Sequence, residues 1–154
     1  MIAVFSFEMA SSVVMDGTPE EAFEIVERAA GWPEWSRVVT RVRRAPAVPW
    51  LPGAQLTFSL RMAGREIEFD VRVTRRNRPL ELAWASTRLM ITAHRTIRFE
   101  ALDGIAARTR VTDQKRFSST CLPIGLAYPR EIIRRMTDEW LTDLKRAVES
   151  GRPE

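Results

Sequence analysis

The sequence predicts an α+β fold, in which a curved antiparallel β-sheet of about six or seven strands wraps round one long C-terminal helix, with two short helices after the first strand. Three observations carry this expectation. Leu56, Phe58, Leu60 and Met62, and then Ile67, Phe69, Val71 and Val73, alternate with polar residues. Each strand so formed has one dry and one wet face, as antiparallel sheets do. Further period-two segments follow as far as Ser118, and the stretch from Pro129 to Ser150 carries an apolar stripe at helical spacing.

Taken in order, Phe5 to Met15 alternates loosely and includes Val13 and Val14, which suggests a first strand. "DGTPEE" then starts a helix. Thr18 is a good N-cap, Pro19 suits the first helical position and Glu21 completes a capping box. Glu20, Glu21 and Glu24 complement the positive end of the helix dipole. Ala22, Phe23, Val26 and Ala30 form the apolar face, and Gly31 is expected to end the helix. In "GWPEWSRVV" (31–39), Trp32 and Trp35 stand three apart on a helical turn and project to roughly the same side. Two readings stand: a core plug that joins helices to sheet, and a Trp35 ring that lines a cavity mouth.

From Arg37, "RVVTRVRR" reads as a strand, while "APAVPWLPG" must be irregular, with Pro46, Pro49 and Pro52 ahead of Gly53. "NRP" (77–79) is a turn, and "LELAWAS" is a strand with Leu80, Leu82 and Trp84 in phase. Leu89 to Ala101 and Ile105 to Ser118 form a hairpin around "LDG", where Gly104 can supply a positive φ. The closing helix presents Ile132, Ile133, Met136, Trp140, Leu144, Ala147 and Val148 on one stripe. With no linker, repeat or low-complexity tract, residues 1–154 are expected to form one domain.

Composition removes several function classes. Of 24 basic residues, 22 are Arg, and they are dispersed and mostly alternate with apolar residues. Nucleic-acid binding calls for a basic stripe with stacking aromatics or a recognition helix; neither is visible, so no nucleic-acid partner is expected. Cys121 is the single cysteine, which permits no internal disulfide and no thiolate cluster. His94 is the single histidine, so no multi-histidine metal site is available, and neither a metal nor another cofactor is expected. The longest uncharged apolar run, Cys121 to Pro129, is broken by proline and glycine and falls far short of the roughly 20 residues a spanning helix needs. "MIAVFSFEMASSVVM" lacks the basic start of a signal peptide. The expectation is a cytoplasmic monomer or homodimer without integral membrane association.

The strands must cover their dry face, and only the C-terminal helix is large enough to do so. A strongly curved sheet round one helix leaves a gap between them, and that gap is where a site is expected.

The stretch "TPEEAFEIVERAAGWPEWSRVVTRV", followed by "LPGAQLTFSL", resembles the polyketide cyclase/dehydrase and lipid-transport family of the START-like (SRPBCC) superfamily. The carriers of the resemblance are the short helix Pro19 to Ala30, the "W-P-x-W" element Trp32 to Trp35, and Pro52-Gly53 before a strand. "LELAWAS" and "LTDLKRAVES" are similar to the family's later strand and closing helix, so nearly the whole chain is covered. The resemblance implies the helix-grip fold and a hydrophobic small-molecule partner such as a polyketide, lipid or aromatic metabolite. The superfamily also spans cyclases and chaperone activators. A polyketide cyclase/dehydratase and a protein-interaction module are therefore the alternatives.

Strand parity then nominates the site. Phe58, Leu60, Phe69, Val71, Trp84, Ile97, Phe99 and Val111 share the dry face, opposite Met136 and Trp140 on the helix. Arg95 lies in the dry phase of Ala93 and Ile97; Asp113 and Lys115 continue the phase of Thr109 and Val111 towards Phe117. If the hairpin closes near Ala101 and Ile105, Arg95 pairs near Val111 and lies diagonal to Asp113. Such an inward Arg-Asp pair would anchor a ligand carbonyl or carboxylate; the alternatives are a β-bulge that turns the charges outward and a structural ion pair at the barrel end. Arg95, Asp113 and His94 are the candidates for acid/base chemistry, although His94 has the opposite parity to Arg95. Trp35 and Tyr128 complete the candidate cavity. The apolar loop Ser118 to Pro129 closes over it as a lid or packs on the helix.

Overall fold

A computed structural model describes residues 5–88, 90–104, 106–121, 123 and 128–151. The elements run β1 (Phe5–Asp16), α1 (Pro19–Glu27), a 3₁₀ turn (Ala29–Gly31), α2 (Trp32–Trp35), β2 (Val39–Arg44), β3 (Gln55–Met62), β4 (Arg65–Asn77), β5 (Glu81–Arg88), β6 (Ile91–Leu102), β7 (Arg108–Ser119) and α3 (Arg130–Ser150). The strands form one seven-stranded sheet in the order β1-β7-β6-β5-β4-β3-β2. Every neighbouring pair is antiparallel. This is the helix-grip arrangement, with α3 packed chiefly along β1 and against α1 on the concave side.

Local chemistry accounts for the elements. Thr18 Oγ1 accepts from the Glu21 backbone N–H at 3.2 Å, which caps α1 behind Pro19. The helix stops at Glu27, earlier than Gly31, because the chain tightens into the 3₁₀ turn before α2. Ala63 and Gly64 both take positive φ, 50° and 78°, as a two-residue hairpin turn between β3 and β4 requires.

Several outcomes depart from the sequence reading. The β6–β7 hairpin closes at Leu102 opposite Arg108, so Arg95 pairs with Lys115 and Phe99 with Val111. The loop is longer than "LDG" implies, with Gly104 at φ 149°; Leu89 and Ile105, expected at strand starts, lie outside the described residues. Leu80 stands just before β5 and is exposed, while Leu82 and Trp84 are buried. Thr57 and Ser59 are also buried despite their outer-face parity. The Thr57 hydroxyl bonds Asp70, and Thr40 reaches the Ser59 carbonyl at 3.4 Å, so polar neighbours cover both positions.

The core concentrates where α1, α2 and α3 meet the sheet. All five tryptophans join one aromatic cluster: the Trp32 ring lies 6.5 Å from Trp50, 5.7 Å from Trp84 and 6.3 Å from Trp140, and Trp35 lies 5.3 Å from Trp140. Trp32 is fully buried and donates from Nε1 to the Val26 carbonyl at 2.9 Å. It is the plug between helices and sheet. Trp50 sits in the irregular proline-rich segment, and its backbone N–H donates to the buried Glu27 carboxylate at 3.1 Å. Arg76 neutralises Glu27, and Arg37 pairs with buried Asp143 at 2.9 Å. Several arginines therefore hold carboxylates that the packing takes out of water.

Candidate functional site

Beyond that core the concave side is not filled. A cavity of about 470 Å³ lies between the sheet and α3. Phe58 and Leu60 from β3, Ile67, Phe69 and Val71 from β4, and Trp84 from β5 form one wall. Ile91 and Ala93 from β6 and Phe117 from β7 continue it, while Ile133, Met136 and Trp140 face them from α3. Tyr128 and Pro129 contribute from the approach to α3, and exposed Arg65 and Arg88 mark the solvent side.

The alternation that makes the strands also decides which side chains enter. The β6–β7 register runs without a break, so no bulge turns Arg95, Asp113 or Lys115 outward. Arg95 Nη2 meets Asp113 Oδ2 at 2.6 Å, and Nε lies 3.0 Å from Oδ1. The guanidinium carbon is 5.0 Å from the Trp84 ring centre and 4.5 Å from that of Trp140. A planar cation between two aromatic faces, forked onto a carboxylate, has little freedom left. Lys115 joins from β7, with Nζ bonded to the Thr137 hydroxyl and 3.6 Å from Asp113 Oδ2. The side chains of Arg95, Asp113 and Lys115 are 12%, 0% and 14% exposed.

Burial shapes the titration of this trio. Desolvation pushes the Lys115 ammonium down to about 8, although Asp113 pulls it the other way. For Asp113, burial acts to raise the carboxyl, but Arg95 and Lys115 together hold it below the usual carboxylate range. Desolvation also raises the Tyr128 phenol, against the opposing charge of Arg88.

Of the residues nominated from parity, Phe58, Leu60, Phe69, Val71, Trp84, Arg95, Phe117, Tyr128, Met136 and Trp140 line the cavity. Ile97, Phe99 and Val111 lie instead in the filled core, where Phe99 packs edge-on to Phe23 at 5.4 Å. Asp113 stands behind Arg95 and Lys115, and Trp35 packs on Trp140. His94 is exposed and borders both the cavity and a groove on the outer face of the sheet. Sequence reasoning omitted Lys115, Ile91 and Ala93 from the cavity, although all three share the inward phase. Ser86, Arg65 and Arg88 were also omitted. Of the expected lid, Ser118 to Pro129, residues 122 and 124–127 lie outside the described residues.

A family model described as "Polyketide cyclase / dehydrase and lipid transport" matches residues 6–149. No curated protein matches the sequence. Among solved structures, a START superfamily protein from Mycobacterium smegmatis is similar at a TM-score of 0.72 with 14% identity, covering 94% of this chain and 99% of that one. The Zhui aromatase/cyclase from a Streptomyces strain gives 0.74 with 13% identity, covering 94% of each chain. A major latex-like protein from Panax ginseng gives 0.76 with 5% identity, covering 92% of this chain and 97% of that one. At these identities the likeness is one of fold. No helix among the described residues is long and apolar enough to cross a membrane.

Proposed function

Because the chain belongs to the polyketide cyclase/dehydrase and lipid-transport family, we propose that it is a single ligand-binding domain that takes a hydrophobic small molecule, such as a polyketide, lipid or aromatic metabolite, into the cavity between sheet and C-terminal helix. The observation that carries this reading is the cavity itself. About 470 Å³ of space is walled mostly by aliphatic and aromatic side chains, with a few polar groups at fixed places. That is the composition of a small-molecule site, in which desolvation supplies affinity and the polar groups set orientation. A chaperone-activator-like interaction module calls for a filled interior, which this fold does not have.

A second reading has one observation in its favour. Arg95 and Lys115 place cationic donors at the cavity wall, where negative charge developing on a carbonyl oxygen would be stabilised. A polyketide cyclase/dehydratase would use them so, and the Streptomyces aromatase/cyclase shares this fold.

Native against denaturing mass spectrometry of the freshly purified protein tests the first reading. A consistent adduct that is lost on denaturation supports a carrier, and its mass gives the ligand class. No adduct, together with no displacement of a hydrophobic dye by lipids or aromatic polyketides, overturns it. Turnover of a bound polyketide that disappears in Arg95→Met while binding persists would favour the cyclase.

A further inference from the structure

The charged side chains along the cavity are all of one sign. Arg65, Arg88, Arg95 and Lys115 line it, and among the described residues no carboxylate does. At the inner wall the charges do not cancel. Arg95 and Lys115 are two cations held in place with a single buried anion, Asp113, between them. Asp113 accepts from Arg95 through both oxygens and lies farther, at 3.6 Å, from Lys115 Nζ, so the single carboxylate is shared between two cations. Lys115 holds the surplus positive charge. Its other polar partner is the Thr137 hydroxyl, which is neutral and already donates to the Ile133 carbonyl at 2.7 Å. The next carboxylate that acts on Lys115 is Asp138 on α3, and it is exposed.

Unused donors gather at the same place. Among the described residues Arg95 Nη1 has no acceptor. An ammonium offers three donors; Lys115 spends one on Thr137 and turns another towards Asp113 Oδ2 at 3.6 Å, which leaves one. A buried charge that shares its only close counter-charge with a second cation is costly, and desolvation is the dominant influence on Lys115. The wall is thus arranged for an acceptor that carries the missing negative charge.

We propose that the ligand is an amphipathic monoanion, an apolar body ending in one carboxylate or enolate-type oxygen, and that its charged end sits against Lys115 and the free edge of Arg95. This rests on the cavity being the binding site and narrows what it takes. One surplus positive charge matches one negative charge, which disfavours a phosphate dianion. Arg65 and Arg88 on the solvent side draw anions inward and repel cations.

The test uses decanoate, 1-decanol, decylammonium and decyl phosphate, titrated at pH 7 and read by the emission of Trp84 and Trp140 in the cavity wall. Decanoate is expected to bind about tenfold or more tightly than decanol, in line with a charge-assisted contact, and decylammonium more weakly than either. Lys115→Met should bring the decanoate-to-decanol ratio close to one. If that variant does not fold, the wild-type protein still decides. The ratio should fall between pH 7 and pH 9.5, because Lys115 sheds its proton near 8 while decanoate stays ionised. The charged groups that act on Lys115 in this range are Arg95 from β6, Asp113 on its own strand and Asp138 on α3.

Equal binding of decanol and decanoate overturns the anion inference and leaves the cavity reading intact. Binding of none of the four overturns both. Tighter binding of decyl phosphate than decanoate overturns the single-charge count. A preference that survives Lys115→Met and is lost in Arg65→Ala with Arg88→Ala moves the charge reading to the rim and overturns the assignment to Lys115.

Discussion

Arg95 and Asp113 meet on a diagonal of the β6–β7 ladder, Nη2 to Oδ2 at 2.6 Å, with the carboxylate wholly inside the protein. Asp113 therefore answers two cations at once. Asp113→Asn would leave Arg95 and Lys115 buried together without a counter-charge, at a cost of about 3–5 kcal/mol. Arg95→Met leaves Lys115 with Asp113 as a neutral pair and should cost less. Urea unfolding of both variants at pH 7 checks the order; a more damaging Arg95→Met would contradict the charge count.

Lys115 makes stability depend on alkaline pH. Its folded pKa of about 8 lies below its ordinary value of 10.5. Between these values the unfolded chain binds a proton that the folded chain has released, so this group's contribution rises with pH across that window and is flat below it. Lys115→Met should abolish the rise and be no less stable than the wild type at pH 7, since the remaining Arg95-Asp113 pair is neutral. Unfolding midpoints for both proteins from pH 7 to 9.5 give the difference. That range stops short of the Tyr128 phenol, which burial pushes up.

The two tryptophans of "WPEW" should differ sharply. Trp32 is fully buried with its N–H bonded to Val26, whereas Trp35 is only partly buried against Trp140. Trp32→Ala should cost about 3–5 kcal/mol, the range for large core truncations. Trp35→Ala should cost clearly less. Thermal unfolding followed by far-UV circular dichroism distinguishes them.

Phe69 lines the cavity from β4 and is partly buried, with Arg88 5.5 Å from its ring centre. Phe69→Trp adds volume where there is empty space, so the melting temperature should change little while a hydrophobic dye binds several-fold more weakly. Unchanged dye binding would mean that the dye, and with it the site, lies elsewhere.

Thr18 caps α1 through a single side-chain acceptor. Thr18→Ala should lower stability by about 1 kcal/mol without altering dye affinity, because α1 supports the filled end of the sheet and contributes no cavity residue.

The inward phase of Arg95, Asp113 and Lys115 was legible because side-chain direction in a strand alternates residue by residue. Their partnership was less so. A hairpin closed at Ala101 and Ile105 would set Arg95 beside Val111; the longer loop sets it beside Lys115 instead. Loop length shifts a whole ladder, and composition does not measure it. Trp50 gave no signal at all, since an irregular proline-rich segment has no period from which burial can be inferred.

Strand phases, the capped first helix and the apolar stripe of the last were determined by the sequence, because each rests on contacts a few residues apart, and the helix-grip class was implied by the family resemblance. Tertiary structure alone decided which dry-face residues are core and which are cavity. Ile97, Phe99 and Val111 share their parity with Phe58 and Phe117, yet they fall in the filled core beside Phe23, while Phe58 and Phe117 border open space. The difference lies in how far the helices extend over the concave sheet, which segments distant in the chain settle when they pack together.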